Sequence, residues 1–182
     1  MKQSFVFSGS GGQGIMSAGI MLAHAAIDMG KHATFLPEYG PEQRGGSAKC
    51  TVIISDDEII SPLTKKCDNL VVLNDQAYNK FAGTVREGGR LIANSSLVTS
   101  DIAADGINAI AVPVDDIALE VGSIKVANVV IIGVLIGATG IVSKEIFVQS
   151  LEQKFKEKKP EILEMNMKAL EKGIAFGQQT ET

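Results

Sequence analysis

The chain has 182 residues, 45% of them hydrophobic, with 17 basic residues against 21 acidic ones and a formal net charge of -4. A chain of this length buries roughly 70% of its unfolded surface, so a single domain over 1–182 is the expectation. The charges are scattered without long blocks, which argues against a nucleic-acid surface or a polybasic membrane patch and points to small molecules and proteins as partners.

The N-terminus, "MKQSFVFSGS", is too short and too weakly apolar for the core of a secretory signal, so a cytoplasmic protein is expected. Residues 4–8 read as a buried strand, followed by the turn "GSGGQG" at 9–14 and a helical pattern over about 14–29. Gly9, Gly11 and Gly14 have the spacing of a Rossmann-like phosphate turn between strand and helix. Glycines there permit positive φ angles and close ligand approach, and the first amides of the helix form an anion site without a charged side chain. Two readings stay open: phosphate binding, or a tight connection whose glycines only allow close packing.

Further strands are expected at 33–37, 50–55, 69–74, 90–94 and 109–114, and helices at about 76–82, 115–121, 126–137, 143–158 and 160–177. Several of the strands lack polar alternation, as expected of a mostly parallel sheet buried on both faces. The fold class is therefore α/β, a three-layer αβα arrangement closed by a charged C-terminal helical hairpin, with Pro160 in the first turn of its second helix. The apolar run from 126 to 142 is short for a membrane span and reads as a buried helix. The same run, with the scarcity of charge from 103 to 114, raises the expectation of an apolar patch and self-association of the isolated chain.

Candidate chemistry outside the turn is thin. Cys50 and Cys67 form no CxxC pair and are too few for an iron–sulfur cluster, and His24 and His32 are isolated, so no metal site is expected. The acids at 55–58 and at 115–116 read as solvated caps, and no catalytic residue is assigned. Asn128 reads as a helix cap or a subunit-contact residue, and Tyr39 and Tyr78 as interface anchors or half-buried aromatics. Glu38 stands near the distance at which a dinucleotide site places its ribose-binding carboxylate, but it lies inside "LPEYGPEQRGGSAKC", which resembles a second ligand or partner surface. There Arg44, with Gly45, Gly46 and Ser47, offers guanidinium and amide donors to a phosphate or carboxylate.

Taken in order, "GSGGQG" at 9–14, "EYGPEQRGGSAKC" at 38–50, "ISPL" at 60–63, "VANVVIIGVLIG" at 126–137 and "NMKALEKG" at 166–173 resemble the gamma subunit of the 2-oxoacid:ferredoxin oxidoreductases over nearly the whole chain. The loop is similar to that of the 2-oxoglutarate and branched-chain types, and the indolepyruvate enzymes have a related small subunit. The resemblance implies an oxidoreductase active only as a complex, which converts a 2-oxoacid, here 2-oxoglutarate, and coenzyme A (CoA) to acyl-CoA, CO2 and reduced ferredoxin. It implies thiamine diphosphate on alpha and beta partner subunits and iron–sulfur clusters on other chains, among them a ferredoxin-like delta subunit. It further implies a shared CoA site, with Gly9, Gly11, Gly12, Gln13 and Gly14 at one edge and Gln43, Arg44, Gly45 and Gly46 at another. The fused single-chain enzymes place lysines where this sequence has Glu42 and Gln43. The alternatives are a free-standing NAD(P)-binding oxidoreductase using Glu38, and a purely structural interaction subunit.

Overall fold

A computed structural model describes residues 1–40, 46–102 and 105–179. The elements in chain order are β1 (Lys2–Ser10), α1 (Ile15–Asp28), β2 (His32–Tyr39), β3 (Ser47–Ser55), β4 (Cys67–Val72), α2 (Asp75–Phe81), β5 (Val85–Asn94), β6 (Asn108–Val112), α3 (Val114–Glu120), α4 (Ala127–Thr139), α5 (Lys144–Phe155) and α6 (Pro160–Gln178), with short 3-10 turns at Ala82–Thr84 and Ile124–Val126. Each expected strand and helix is present within a few residues of its sequence position. The six strands form one sheet in the order β2-β3-β1-β4-β5-β6.

The pairs β1–β4, β4–β5 and β5–β6 are parallel, as expected. β3 is the exception and runs antiparallel to both β1 and β2. Its direction follows from chain length: the link from Tyr39 to Ser47 is too short for the dozen or more residues of a parallel crossover, so the chain turns back as a hairpin.

Alternation along the strands builds two cores. Phe5 and Phe7 of β1 and Cys50, Val52 and Ile54 of β3 face a large core covered by α1, α3 and α4. Val6, Leu70, Val72, Leu91 and Ala93 face a smaller one, covered by α2 and the segment around Val98. Helices therefore lie on both faces of the sheet, unequally. Cys50 and Cys67 belong to opposite faces, which prevents them from sharing one ligand. Burial pushes the Cys50 thiol up to about 12 and raises that of Cys67, so both stay protonated near neutral pH.

The run at 126–142 does not supply an exposed patch: Val130, Ile132, Val134 and Leu135 of α4 are fully buried inside the chain's own large core. Pro160 occupies the start of α6, as expected, and α5 touches α6, but the main partner of α6 is α4. Those two helices run in the same direction, Gly133 meeting Gly173 and Gly137 meeting Gly177. A Cβ at any of the four would lie within 3 Å of the facing backbone. The large exposed apolar side chains lie elsewhere, notably Ile60 (98% exposed), Leu63 and Tyr39. Among the described residues no helix is long and apolar enough to cross a membrane.

Candidate functional site

The glycine turn sits at the carboxyl end of β1, where α1 leaves toward one face of the sheet while α2, after the neighbouring β4, covers the other. Crevices at such switch points are where open α/β sheets bind ligands. Gly12 has φ +95° and Gly14, which begins α1, has φ +78°, both in the left-handed region that favours glycine. No atom lies within 4 Å of where a Gly12 Cβ would be, so its requirement is conformational. Gly11 and Gly12 are exposed. α1 has no side-chain cap and no acid in its first turn, so the positive end of the helix faces the cleft uncompensated.

Gly9 and Gln13 have different roles from the exposed glycines. Gly9 is buried in the strand, and a Cβ there would run into Gln13 Oε1 at 2.6 Å and Ile15 Cδ1 at 2.9 Å, so this glycine serves packing. The Gln13 amide is turned into the protein. Its Oε1 accepts from the Ser10 N–H at 2.6 Å and from Asn74 Nδ2 at 3.0 Å, and its Nε2 donates to the Leu73 carbonyl at 3.2 Å. Gln13 thereby ties the turn to the end of β4. Asn74 completes the tie, donating also to Ser10 Oγ at 2.9 Å and capping α2 by accepting from the Ala77 N–H at 2.9 Å. Asn74, which the strand expected at 69–74 includes, lies beyond the end of β4, and its role was missed; the signal that finds it is an Asn just before a helical pattern, the preferred N-cap.

The next residue, Asp75, accepts from the N–H and hydroxyl of both Thr99 and Ser100 at 2.7–3.0 Å. These donors hold its carboxyl down to about 2.

The second loop reaches the first: the Gly11 N–H donates to the Gly46 carbonyl at 3.0 Å, and the loop's base is closed by Gly40 N–H to Ser47 O at 2.7 Å. Gln43, Arg44 and Gly45 lie outside the described residues. Glu38 does not face the glycine cleft. It pairs with Lys49 at 2.7 Å on β2, with β3 between it and β1, about 10 Å away by strand spacing. A dinucleotide site of the kind anticipated needs its acidic strand parallel to and beside β1, where this fold has antiparallel β3.

The opposite wall of the cleft comes from the C-terminal half of the sequence. A cavity of about 170 Å3 is lined by Gly12, Gln13, Gly14, Leu73, Asp115, Lys125 and Asn128, among others. Asn128 caps nothing. α4 begins at Ala127 after a Val126 cap without a side-chain bond, and Asn128 instead packs on the turn, its Cβ 3.1 Å from where a Gly14 Cβ would be. Its Oδ1 is buried without a hydrogen-bond partner, which costs about 1–3 kcal/mol. Asp115 lies in the first turn of α3 but is not the solvated cap expected: α3 has no side-chain cap bond, and the half-buried carboxylate accepts from Asn94 Nδ2 at 2.9 Å. The site role of Lys125 and Asn128 was not visible in the sequence, because no local pattern links residues 125–128 to residues 12–14.

These features define an α/β domain with a glycine turn at a switch point, at the open N-terminus of α1 and braced by a hairpin loop. The chain belongs to the pyruvate ferredoxin/flavodoxin oxidoreductase family, whose pattern it matches over residues 4–176. It is 38% identical to the 2-oxoglutarate synthase subunit KorC of Methanocaldococcus jannaschii over 98% of this chain and 96% of that one. It is 37% identical to the ketoisovalerate oxidoreductase subunit VorA of Methanothermobacter thermautotrophicus, covering 94% of this chain. It spans only about a third (36%) of VorA's length. Among solved structures, the gamma subunit of a keto/oxoacid ferredoxin oxidoreductase from Geobacter sulfurreducens superposes with a TM-score of 0.81 at 36% identity, over 97% of this chain and 99% of that one. The fold also matches, with a TM-score of 0.90 at 24% identity, 31% of a chain of the 2-oxoglutarate:ferredoxin oxidoreductase from Magnetococcus marinus, a structure with 2-oxoglutarate, CoA and succinyl-CoA bound; that match covers 98% of this chain.

Proposed function

We propose that this chain is the gamma-type subunit of a 2-oxoacid:acceptor oxidoreductase and that its task is to hold CoA and join the complex. The carrying observation is the junction of the two loops, Gly11 N–H to Gly46 O, at the open N-terminus of α1. That bond fixes the turn, and the remaining amides of Gly12 and Gly14 with an uncompensated helix dipole suit the diphosphate of CoA. The cavity beside them, about 170 Å3, is smaller than the 300–1,000 Å3 typical of a complete small-molecule pocket, which supports a site finished by a partner subunit.

In this reading the amides of Gly12 and Gly14 hold the diphosphate, the N–H groups of Gly11 and Gln13 being used within the turn on the carbonyls of Gly46 and Ser10, while Gln13 and Asn74 keep the turn rigid and Arg44 adds a guanidinium from the second loop. Thiamine diphosphate and iron–sulfur clusters on partner subunits, the alpha, beta and ferredoxin-like delta chains, supply decarboxylation and electron transfer. The complex works in the cytoplasm. The 2-oxoacid is 2-oxoglutarate, a choice supported by the end-to-end match to KorC.

The test is purification through a tag on this chain from its native cell, followed by assay of CoA-dependent acceptor reduction with 2-oxoglutarate and with ketoisovalerate. Co-purifying chains that turn over 2-oxoglutarate, and no turnover by the chain alone, are the expected result. Turnover by the isolated chain, or its recovery without partners, overturns the subunit reading. Preference for ketoisovalerate overturns the choice of substrate.

A further inference from the structure

The cleft beside the glycine turn has an open positive helix end, yet a diphosphate carries more negative charge than a helix terminus balances, since the dipole amounts to roughly half an elementary charge. A fixed cation nearby would complete the site. Lys125 lines the cavity together with Gly12, Gly14 and Asn128. Its ammonium makes no ion pair or hydrogen bond among the described residues, whereas Lys31, Lys49, Lys144, Lys168 and Lys172 each pair with a carboxylate.

The placement of Lys125 is built rather than incidental. Its backbone N–H is held by Ser123 Oγ at 3.2 Å, and the following Val126 is buried in the core, so the short turn pins this position at the lip of the cleft with the side chain exposed. The acid in the cavity, Asp115, accepts from Asn94 Nδ2 and makes no ion pair with Lys125 among the described residues. Behind Lys125 and Asn128 opens a further cavity of about 350 Å3, lined also by Met21, Phe155 and Met165, so the cation stands between a polar cleft and a more apolar one.

We propose that Lys125 is a second cation of this site, beside Arg44, and that it neutralises the diphosphate of bound CoA across the cleft from the amides of Gly12 and Gly14. This assignment rests on the CoA reading above and adds to it a charged residue from the far wall. An ammonium suits the task, because it meets a phosphate oxygen as a point charge without the planar geometry a guanidinium demands.

The experiment uses the complex purified through this chain and measures KM for CoA, for dephospho-CoA and for the 2-oxoacid in wild type, Lys125→Ala, Lys125→Arg and Gly12→Asp. Lys125→Ala is expected to raise KM for CoA and for dephospho-CoA alike, by about tenfold, the loss of one charge-assisted contact, without raising that for the 2-oxoacid. Lys125→Arg, which keeps the charge, is expected to recover most of that loss. If Lys125→Ala leaves the CoA constant unchanged while Gly12→Asp raises it, the Lys125 assignment fails and the CoA reading stands. If neither variant moves it, the CoA reading fails as well. A loss confined to CoA and absent for dephospho-CoA would mean that the lysine contacts the 3′-phosphate. A parallel rise in the 2-oxoacid constant, or no recovery with arginine, would mean that the residue serves assembly.

Discussion

Two groups of glycines in this chain do opposite jobs. In the turn, Gly12 has empty space where a side chain would go and a φ of +95°, so it is glycine because of its backbone conformation. Where α4 crosses α6, Gly133, Gly137, Gly173 and Gly177 have ordinary helical backbones and no space at all: a Cβ on each would lie within 3 Å of the facing helix's backbone. The first group leaves amides open to a ligand, while the second lets two helices pack backbone against backbone and gives up helix propensity to do so. A glycine's function therefore follows from what lies beyond its Cα, which counting glycines in a sequence does not reveal.

The largest effect is expected at the crossing. Gly137→Val drives a branched side chain into the Ile174 carbonyl and forces the helices apart, at a cost of about 3 kcal/mol or more, or a fall in Tm of roughly 6–12 °C for a chain of this size. Thermal unfolding of the variant checks it, and a stabilised variant would show that helix propensity outweighs packing.

Next comes Gly12→Asp in the turn, which sets a carboxylate against the amides proposed to hold the diphosphate. KM for CoA in the assembled enzyme is expected to rise about ten- to a hundredfold. An unchanged constant would leave the turn a connection whose Gly12 serves backbone conformation alone.

Gly140 separates the two requirements within a single helix. It ends α4 with φ +59° and has nothing within 4 Å of its Cβ position, so Gly140→Ala is expected to cost only the left-handed penalty, about 1–2 kcal/mol, well below Gly137→Val. Equal melting temperatures for the two variants would erase the distinction.

The smallest effect tests a region that belongs to neither group. The Asp75 carboxyl is held down to about 2 by the donors of Thr99 and Ser100, against about 3.9 in an unfolded chain. A lowered folded value means that its contribution is fully present above pH about 4 and disappears as pH falls through 2. Asp75→Asn should flatten the dependence of Tm on pH in that window without moving KM for CoA. A slope identical to wild type would remove Asp75 from the acid response.

The elements were legible because their signals are local. "FVF" running into "GSGGQG" specifies a strand, a turn and a helix within 30 residues, and the structure places all three where expected. The long apolar run at 126–142 announced burial, and α4 is indeed buried. The reading that the same run would form an exposed patch failed, because sequence shows how apolar a helix is but not what covers it, and α6 was the unseen partner. Of the two readings of Asn128, helix cap or subunit contact, the cap rests on its place near a helix start, yet the helix begins one residue earlier and its side chain meets a turn more than 100 residues away in sequence.

What the sequence by itself determined is the inventory of strands and helices, the glycine turn that opens α1, and the absence of cysteines enough for a cluster, all of which follow from residue type and short-range periodicity. The reversal of β3 was also implicit in it, since seven residues between Tyr39 and Ser47 leave no room for a crossover. Only the tertiary structure decided that Gly46 closes onto Gly11, that Glu38 is spent on Lys49 away from the cleft, that α6 lies along α4, and that Lys125 and Asn128 form the far wall of the site. Those pairings depend on how a sheet order brings distant segments together, and that choice is made by the burial of whole faces rather than by any residue's own preference.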